Sequence, residues 1–342
     1  MTKGVQPPGL EPCRIRTFRS ITLRKFIVDK TMTLKPFSWE TSHLVSMDQF
    51  QREDIELIFK RTQELETNLF PVDREKFSQM VLASLFFEPS TRTRLSFEVA
   101  MLRLGGQVLK LPDVENLSLS KGESLEDTIR VLGAYANVII LRHPSEEALG
   151  LACRYSSVPI INAGDGCDEH PTQALLDLYT IQKEKGSIDG LKIAIVGDLR
   201  HARVVHSLLK GLAKFKVDLK LVSPPELKVP EPFLKKLEEQ NLNYVETPDL
   251  ESVIGDVDIL YVVMLQHHRI SDPHQVEQLK KKYYVIDRKL VQKGQSNLII
   301  LHPMVRREEL SPEVDELPQA AYFRQVRNGV SVRMALLSLM LG

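Results

Sequence analysis

The stretch FFEPSTRTRLSFE, residues 86–98, places four hydroxyl side chains and two arginines between two apolar segments. The apolar run at residues 81–87 predicts a buried strand, and the pattern of residues 95–104 is compatible with a helix. The tetrapeptide STRT, residues 90–93, is therefore expected at the turn between a strand and a helix N-terminus.

That position offers an anion several kinds of donor. The first turn of a helix has unpaired backbone N–H groups and carries the positive end of the helix dipole. Hydroxyl groups add donors, and a guanidinium group matches the geometry of phosphate oxygens. An ordinary helix cap with solvated arginines is the alternative interpretation. The side chains concerned are Ser90, Thr91, Arg92 and Thr93.

Working outward, strand-like segments alternate with helical ones along most of the chain. This alternation predicts an α/β protein with parallel sheets, in which ligands bind beyond the carboxyl ends of the strands. The predicted strands fall into two series, the first at 81–87, 107–111, 137–142 and 158–162 and the second at 192–199, 217–222, 257–263 and 297–303.

The two series predict two domains, each with a mainly parallel sheet flanked by helices. We expect the first domain at residues 39–170 and the second at 171–322. Residues 323–342 are expected to form a C-terminal helix that is packed and not exposed, because apolar residues cover most of its sides. We expect this helix to return to the first domain.

Residues 1–38 differ from the rest, with eight lysines and arginines against Glu11 and Asp29. Three interpretations stay open for this basic extension: a cleaved organelle-targeting segment, a disordered extension, or translation that truly starts at Met32. The second and third make the protein cytoplasmic.

Composition excludes several classes of protein. Of the 342 residues, 43% are hydrophobic and 26% are charged, which is typical of a globular protein with a sizeable core. The formal net charge is zero, so no basic field indicates nucleic acid. Cys13, Cys153 and Cys167 lack metal-ligand spacing, and no apolar stretch approaches the roughly 20 residues of a membrane span.

Four further polar clusters follow predicted strands or open helices. Each admits a structural role by itself, because a single histidine or arginine is commonly a satisfied core or surface residue. GDLRHARVVHS also resembles half of a dinucleotide site, but it lacks GxGxxG. The clusters are RHP at 142–144, HPTQ at 170–173, GDL at 197–199 with Arg203 and His206, and HPMVR at 302–306.

Taken together and in this order, these motifs resemble the catalytic chains of the aspartate carbamoyltransferase family. The resemblance covers about residues 40–342 and includes STRTR, RHP, NAGDGCDEHPTQALLDLYTI, GDL with its arginine, and the tail from AYFRQ to RMALL. It implies transfer of a carbamoyl group from carbamoyl phosphate to L-aspartate in pyrimidine synthesis, without a metal or organic cofactor. It also implies a homotrimer with active sites shared between chains; regulatory chains and further assembly stay open.

The resemblance assigns roles to individual residues. Ser90, Thr91, Arg92 and Thr93 would hold the phosphate. Three residues, Thr93, Arg142 and His170, would surround the carbamoyl oxygen, where negative charge grows during attack by the amine. The carbamoyl amino group would contact Gln173 and the backbone at Met304. Aspartate would be bound by Arg203, by Gln266 and by Lys121 of a neighbouring chain, and Lys121 would also be catalytic, like Thr93, Arg142 and His170.

Three positions depart from the family pattern. Met264 stands where the family has an arginine that clamps the aspartate carboxylates, and methionine neither donates a hydrogen bond nor carries charge. His267, His268 or Arg269 would have to substitute. Val305 replaces a proline that follows a cis peptide bond, which leaves a trans bond with a different loop or a cis bond before valine as alternatives.

The third departure is Leu117 in place of serine, beside Ser118, in the loop that carries Lys121. The half that would bind carbamoyl phosphate is nearly intact, whereas the half that would bind the amine acceptor and the loop shared between chains are altered. Besides an aspartate carbamoyltransferase, the sequence thus leaves two further interpretations: a carbamoyltransferase with another amine acceptor, and a weakly active or non-catalytic homologue that still binds carbamoyl phosphate.

Overall fold

The computed structural model describes residues 39, 43–67, 74–111, 121–240 and 242–342. The basic extension 1–38 and the departures at Leu117 and Ser118 lie outside these residues. Within the described part of the chain, no helix combines the length and the apolar character needed to cross a membrane.

The first half of the chain builds a four-stranded parallel sheet with helices around it. The strands are β1 Val81–Phe86, β2 Gln107–Lys110, β3 Val138–His143 and β4 Ile160–Asp165. They lie in the order β2-β1-β3-β4. The helices are α1 Arg52–Thr67, α2 Arg74–Ser78, α3 Thr91–Leu104, α4 Leu125–Tyr135, α5 Glu147–Tyr155 and α6 Pro171–Lys185.

The second half builds a five-stranded parallel sheet. Its strands are β5 Lys192–Val196, β6 Asp218–Val222, β7 Asn243–Thr247, β8 Ile259–Val262 and β9 Ile299–Leu301. They lie in the order β7-β6-β5-β8-β9. The helices are α7 Arg203–Leu212, α8 Glu231–Glu238, α9 Pro273–Lys282, α10 Arg288–Val291 and α11 Tyr322–Leu341.

The C-terminal helix α11 returns to the first half of the molecule. It packs against α1, α3 and α6, and its Val332, Ala335, Leu336 and Leu337 are fully buried there. The predicted fold is therefore confirmed: two parallel sheets flanked by helices, with a terminal helix that packs back on the first domain.

Some predicted boundaries differ from the observed ones. The segment 297–303 contains only a three-residue strand, because its polar end turns into the loop that begins at His302. Sequence patterns did not indicate β7, an edge strand whose residues are exposed or half-buried and so lack a clear apolar period. Ser46 caps a short 3-10 turn at Met47–Gln49, and the long helix α1 begins only at Arg52.

Candidate active site

The STRT segment lies at the predicted N-terminus of α3, directly beyond the end of β1. Ser90 is the N-cap residue, but its hydroxyl does not cap the helix; it accepts a hydrogen bond from Nη1 of Arg142 at 3.3 Å. Thr91 and Arg92 are exposed, and Thr93 is buried. The Ser90 side chain therefore accepts no hydrogen bond from the first-turn N–H groups of α3, and these groups stay available to an anion. This favours an anion-binding helix end over an ordinary cap.

Glu88 joins two arginines from different domains. Its Oε2 accepts from Nε of Arg142 at 3.1 Å and from Nη2 of Arg203 at 2.9 Å. Although burial opposes ionisation, the charges of Arg203 and Arg142 hold the pKa of Glu88 below its ordinary value. One carboxylate therefore anchors both guanidinium groups, and the three side chains together keep a net positive charge.

The Arg142 side chain is largely buried, with 16% of its surface exposed. Burial and the nearby charge of Arg203 lower its pKa to about 9, while Glu88 opposes this shift. Arg142 remains a cation at neutral pH, and electrostatic interactions with a bound anion are strong in such a partly desolvated position.

Arg203, the first residue of α7, rests on the glycine-rich end of β4. Its Nη1 donates to the carbonyl of Gly166 at 3.0 Å. Gly164 has φ +113°, and a Cβ there would lie only 2.9 Å from Cζ of Arg203. The NAGDG motif thus needs glycine at position 164 for two reasons, the backbone conformation and the close approach of the guanidinium group.

His170 and Thr93 face each other, with His170 Nε2 and Thr93 Oγ1 3.3 Å apart. The backbone N–H of His170 donates to Oγ of Ser207 at 2.8 Å, which fixes the start of α6. Burial, followed by the charges of Arg142 and Arg203, lowers the pKa of His170 well below 6.5. His170 is therefore a neutral hydrogen-bonding group at physiological pH.

Gln173 lies in the first turn of α6, three residues after His170, and a hydrogen-bonded chain of buried side chains connects it to the loop after β9. Gln173 Nε2 donates to Oδ1 of Asp177 at 2.8 Å. The Met304–Val305 peptide bond is cis, which decides between the two alternatives that the sequence left open. The N–H of Met304 donates to Nδ1 of His302 at 2.8 Å.

The segment at residues 263–269, called the acceptor segment below, follows β8 and is hydrogen-bonded to the GDL motif. The N–H of Gln266 donates to Oδ2 of Asp198 at 3.1 Å, and its Nε2 donates to the carbonyl of Met264 at 3.3 Å. The glycine of the motif, Gly197, has φ +126°, and a Cβ there would collide with the carbonyl oxygen of Val263. A close approach of the two segments therefore requires glycine.

Arg269 brings a further cation to this region, five residues after Met264. Its Nη1 donates to the carbonyl of His201 at 3.3 Å. Burial and the charge of Arg203 lower its pKa to about 10, with Glu88 and Asp198 opposing the shift. Arg269 is thus within electrostatic reach of the cluster that Glu88 organises.

Lys121 is not part of this cluster within one chain. The residue is exposed, and the described residues give it no ion pair. The structure of one chain thus brings together the residues of the 90–93 segment with Arg142, His170 and Arg203, and leaves Lys121 outside.

Two residues that support the site, Glu88 and Asp177, have no role that the sequence motifs indicate. A charged residue at an apolar-facing position of α6 was the available signal for Asp177, which is fully buried.

Comparisons with known proteins agree with this geometry. Two family models match the chain: the carbamoyl-phosphate-binding domain of aspartate/ornithine carbamoyltransferases at residues 42–183, and their aspartate/ornithine-binding domain at residues 189–340. The fold and site define a two-domain carbamoyltransferase, and the chain belongs to the aspartate/ornithine carbamoyltransferase family.

Among individual relatives, the aspartate carbamoyltransferase catalytic subunit of Methanopyrus kandleri is 48% identical over 305 residues, which is 89% of this chain and 99% of the relative. That of Methanocaldococcus jannaschii is 48% identical over 297 residues, 86% and 96% of the two chains.

A solved structure of aspartate transcarbamoylase from Trypanosoma cruzi, in complex with carbamoyl phosphate and aspartate, has a TM-score of 0.83 and 39% identity. The match covers 90% of this chain and all of the other. The names of all three proteins specify aspartate, and none of them specifies another amine acceptor.

Proposed function

We propose that this protein transfers the carbamoyl group of carbamoyl phosphate to the amine of L-aspartate, which gives N-carbamoyl-L-aspartate and phosphate. The observation that carries the proposal is the Glu88 cluster, in which Arg142 and Arg203 share one carboxylate across the two domains. Arg142 belongs to the half that binds carbamoyl phosphate, and Arg203 belongs to the half that binds aspartate. As part of the same proposal, the reaction serves pyrimidine synthesis and takes place in the cytoplasm.

On the donor side, Ser90, Thr91, Arg92 and Thr93 hold the phosphate at the N-terminus of α3. Backbone N–H groups there suit an anion without further charge, and Arg92 adds a charged fork. This assignment gives a reason for the exposed position of Arg92 at the start of the helix.

At the carbamoyl carbon, the aspartate amine attacks and the bond to the phosphate oxygen breaks. The carbonyl oxygen gains negative charge, and Arg142, His170 and Thr93 donate to it. The low pKa of His170 keeps its ring neutral, so it stabilises charge by a hydrogen bond and not as an acid. The departing phosphate accepts the amine proton, so no protein base and no covalent intermediate is needed.

On the acceptor side, Arg203 and Gln266 bind aspartate, and Arg269 contributes positive potential where Met264 does not. Aspartate carries two carboxylates, and a cleft with several arginines raises the local concentration of such an anion.

The direct test is carbamoylaspartate formation and phosphate release by the purified chain, over a wide aspartate range at saturating carbamoyl phosphate. Equal amounts of both products are expected, with L-ornithine as a matched acceptor that gives no citrulline. Phosphate release without carbamoylaspartate, or transfer to ornithine alone, would contradict the proposal.

We further propose a homotrimer in which Lys121 of one chain enters the site of its neighbour. Support comes from Lys121, which is exposed and has no ion pair with the described residues, and from large apolar side chains left exposed on α3 and α4. Leu102 is 52% exposed and Tyr135 is 66% exposed, and a neighbouring chain would cover such residues.

A shared site predicts complementation between two inactive variants. Lys121→Ala and Arg142→Ala chains, mixed in equal amounts and reassembled, should regain about a quarter of the wild-type activity, as random pairing in a closed ring of heterologous contacts requires. The measurement is specific activity against the two variants alone. A mixture no more active than its parts would place both residues in one chain's site.

A further inference from the structure

A fully buried carboxylate lies behind Gln173 on the same face of α6. Asp177 accepts hydrogen bonds from three elements of the fold. Its Oδ1 is 2.8 Å from Nε2 of Gln173 and 2.6 Å from Nε2 of Gln325, and its Oδ2 is 2.7 Å from the hydroxyl of Tyr261. Asp177 has no exposed surface, and Tyr261 and Gln325 are equally enclosed. Such a carboxylate is costly to bury, so its position calls for a reason.

The network fixes which way the Gln173 amide points. The backbone N–H of His302 donates to Oε1 of Gln325 at 2.9 Å, so the other end of the Gln325 amide must be the nitrogen that faces Asp177. Oδ1 of Asp177 accepts from that nitrogen at 2.6 Å and from the NH₂ end of Gln173 at 2.8 Å. The Oε1 of Gln173 is then left as an acceptor, and no described residue donates to it.

We infer that Asp177 is a positioning residue that gives the site its selectivity for the amino group of the donor. By holding the NH₂ end of Gln173, it turns the carbonyl end toward the carbamoyl group, whose NH₂ needs an acceptor. The inference rests on the proposed function, because that function places carbamoyl phosphate beside Gln173.

The same carboxylate also reaches the loop after β9. Gln325 links Asp177 to the N–H of His302, and His302 Nδ1 accepts from the N–H of Met304. Asp177 thus supports both places where the carbamoyl amino group is expected to find acceptors, the Gln173 side chain and the backbone at Met304. A carboxylate suits this position because its two oxygens offer about four acceptor sites, enough for both glutamine amides and the Tyr261 hydroxyl.

Acetyl phosphate is the appropriate probe, because it has a methyl group in place of the amino group and is otherwise similar in shape and charge. The wild-type chain is expected to bind carbamoyl phosphate more tightly than acetyl phosphate. In Asp177→Leu, which has the same branched shape with larger terminal groups and no acceptor, this affinity ratio should fall about tenfold, the worth of one hydrogen bond.

The control is Asp177→Asn. Its carbonyl oxygen can accept from both glutamines while its NH₂ group donates to Tyr261, so the ratio should stay near the wild-type value. Asp177→Ser is a second disruptive variant, since its short side chain does not reach the glutamines. Calorimetric titration with each ligand gives the ratio, which does not depend on the folded fraction, because both ligands bind the same folded population.

A wild-type ratio in both Asp177→Leu and Asp177→Ser would overturn the inference, and so would an equal loss in Asp177→Asn, which would indicate a role for the charge and not for the acceptor. Failure of the proposed function has a different signature: the wild-type chain then forms no carbamoylaspartate, whatever its ratio of affinities.

Discussion

Replacement of Arg142 by alanine is expected to lower the rate of carbamoyl transfer by about 10²–10³-fold at saturating substrates, the range measured when one donor to an oxyanion is removed. Arg142 lies between Ser90 and Glu88, and its partly enclosed guanidinium is positioned before substrate binds. In the proposed mechanism its stabilising effect grows as charge develops on the carbamoyl oxygen, so the loss should appear in kcat more than in the affinity for aspartate. Steady-state kinetics with both substrates varied measures this division.

Two variants serve as controls for this prediction. Arg142→Lys keeps a charge but lacks the planar fork that reaches Glu88 and Ser90 together, so an intermediate rate is expected. Arg288→Ala removes a partly exposed arginine that pairs with Glu316 on the second domain, and it should leave kcat unchanged. Normal turnover by Arg142→Ala would show that the oxyanion is stabilised elsewhere.

The regular parts of the site were accessible from sequence because local rules determine them. An apolar run followed by hydroxyls and a helical pattern places Ser90 at a helix N-terminus whatever the rest of the chain does. Alternating strands and helices likewise predict parallel sheets, whose carboxyl ends gather the polar clusters at one edge.

The supporting contacts were not accessible, because they join residues that lie far apart in sequence. Glu88 meets Arg203 across 115 positions, and Gln325 meets Asp177 across 148. No periodicity or spacing encodes such pairs. Gly164 is similar: the sequence shows a glycine, but only the fold shows that the guanidinium of Arg203 occupies the space of a side chain.

The acceptor half leads to the second large expected effect, a gain of function. Met264→Arg should lower the aspartate concentration for half-saturation by about 10- to 100-fold, because a hydrogen-bonded charge pair in a partly buried site contributes about 1.5–3 kcal/mol. Met264 lies just after β8 and two residues before Gln266, whose side chain bonds to the Met264 carbonyl, so a longer cationic side chain there starts within the acceptor segment. The KM for carbamoyl phosphate should change little.

Aspartate titrations at saturating carbamoyl phosphate measure the effect, with Met264→Leu as the control that changes shape without adding charge. Arg203 already has Glu88 and the carbonyl of Gly166 as partners, so it cannot alone neutralise both carboxylates of the acceptor. An unchanged KM in Met264→Arg would contradict the prediction and would mean that Arg269 already supplies the second cation. In that case, Arg269→Met should weaken aspartate binding by a similar factor, since the charge near Arg203 and Glu88 would then have no replacement.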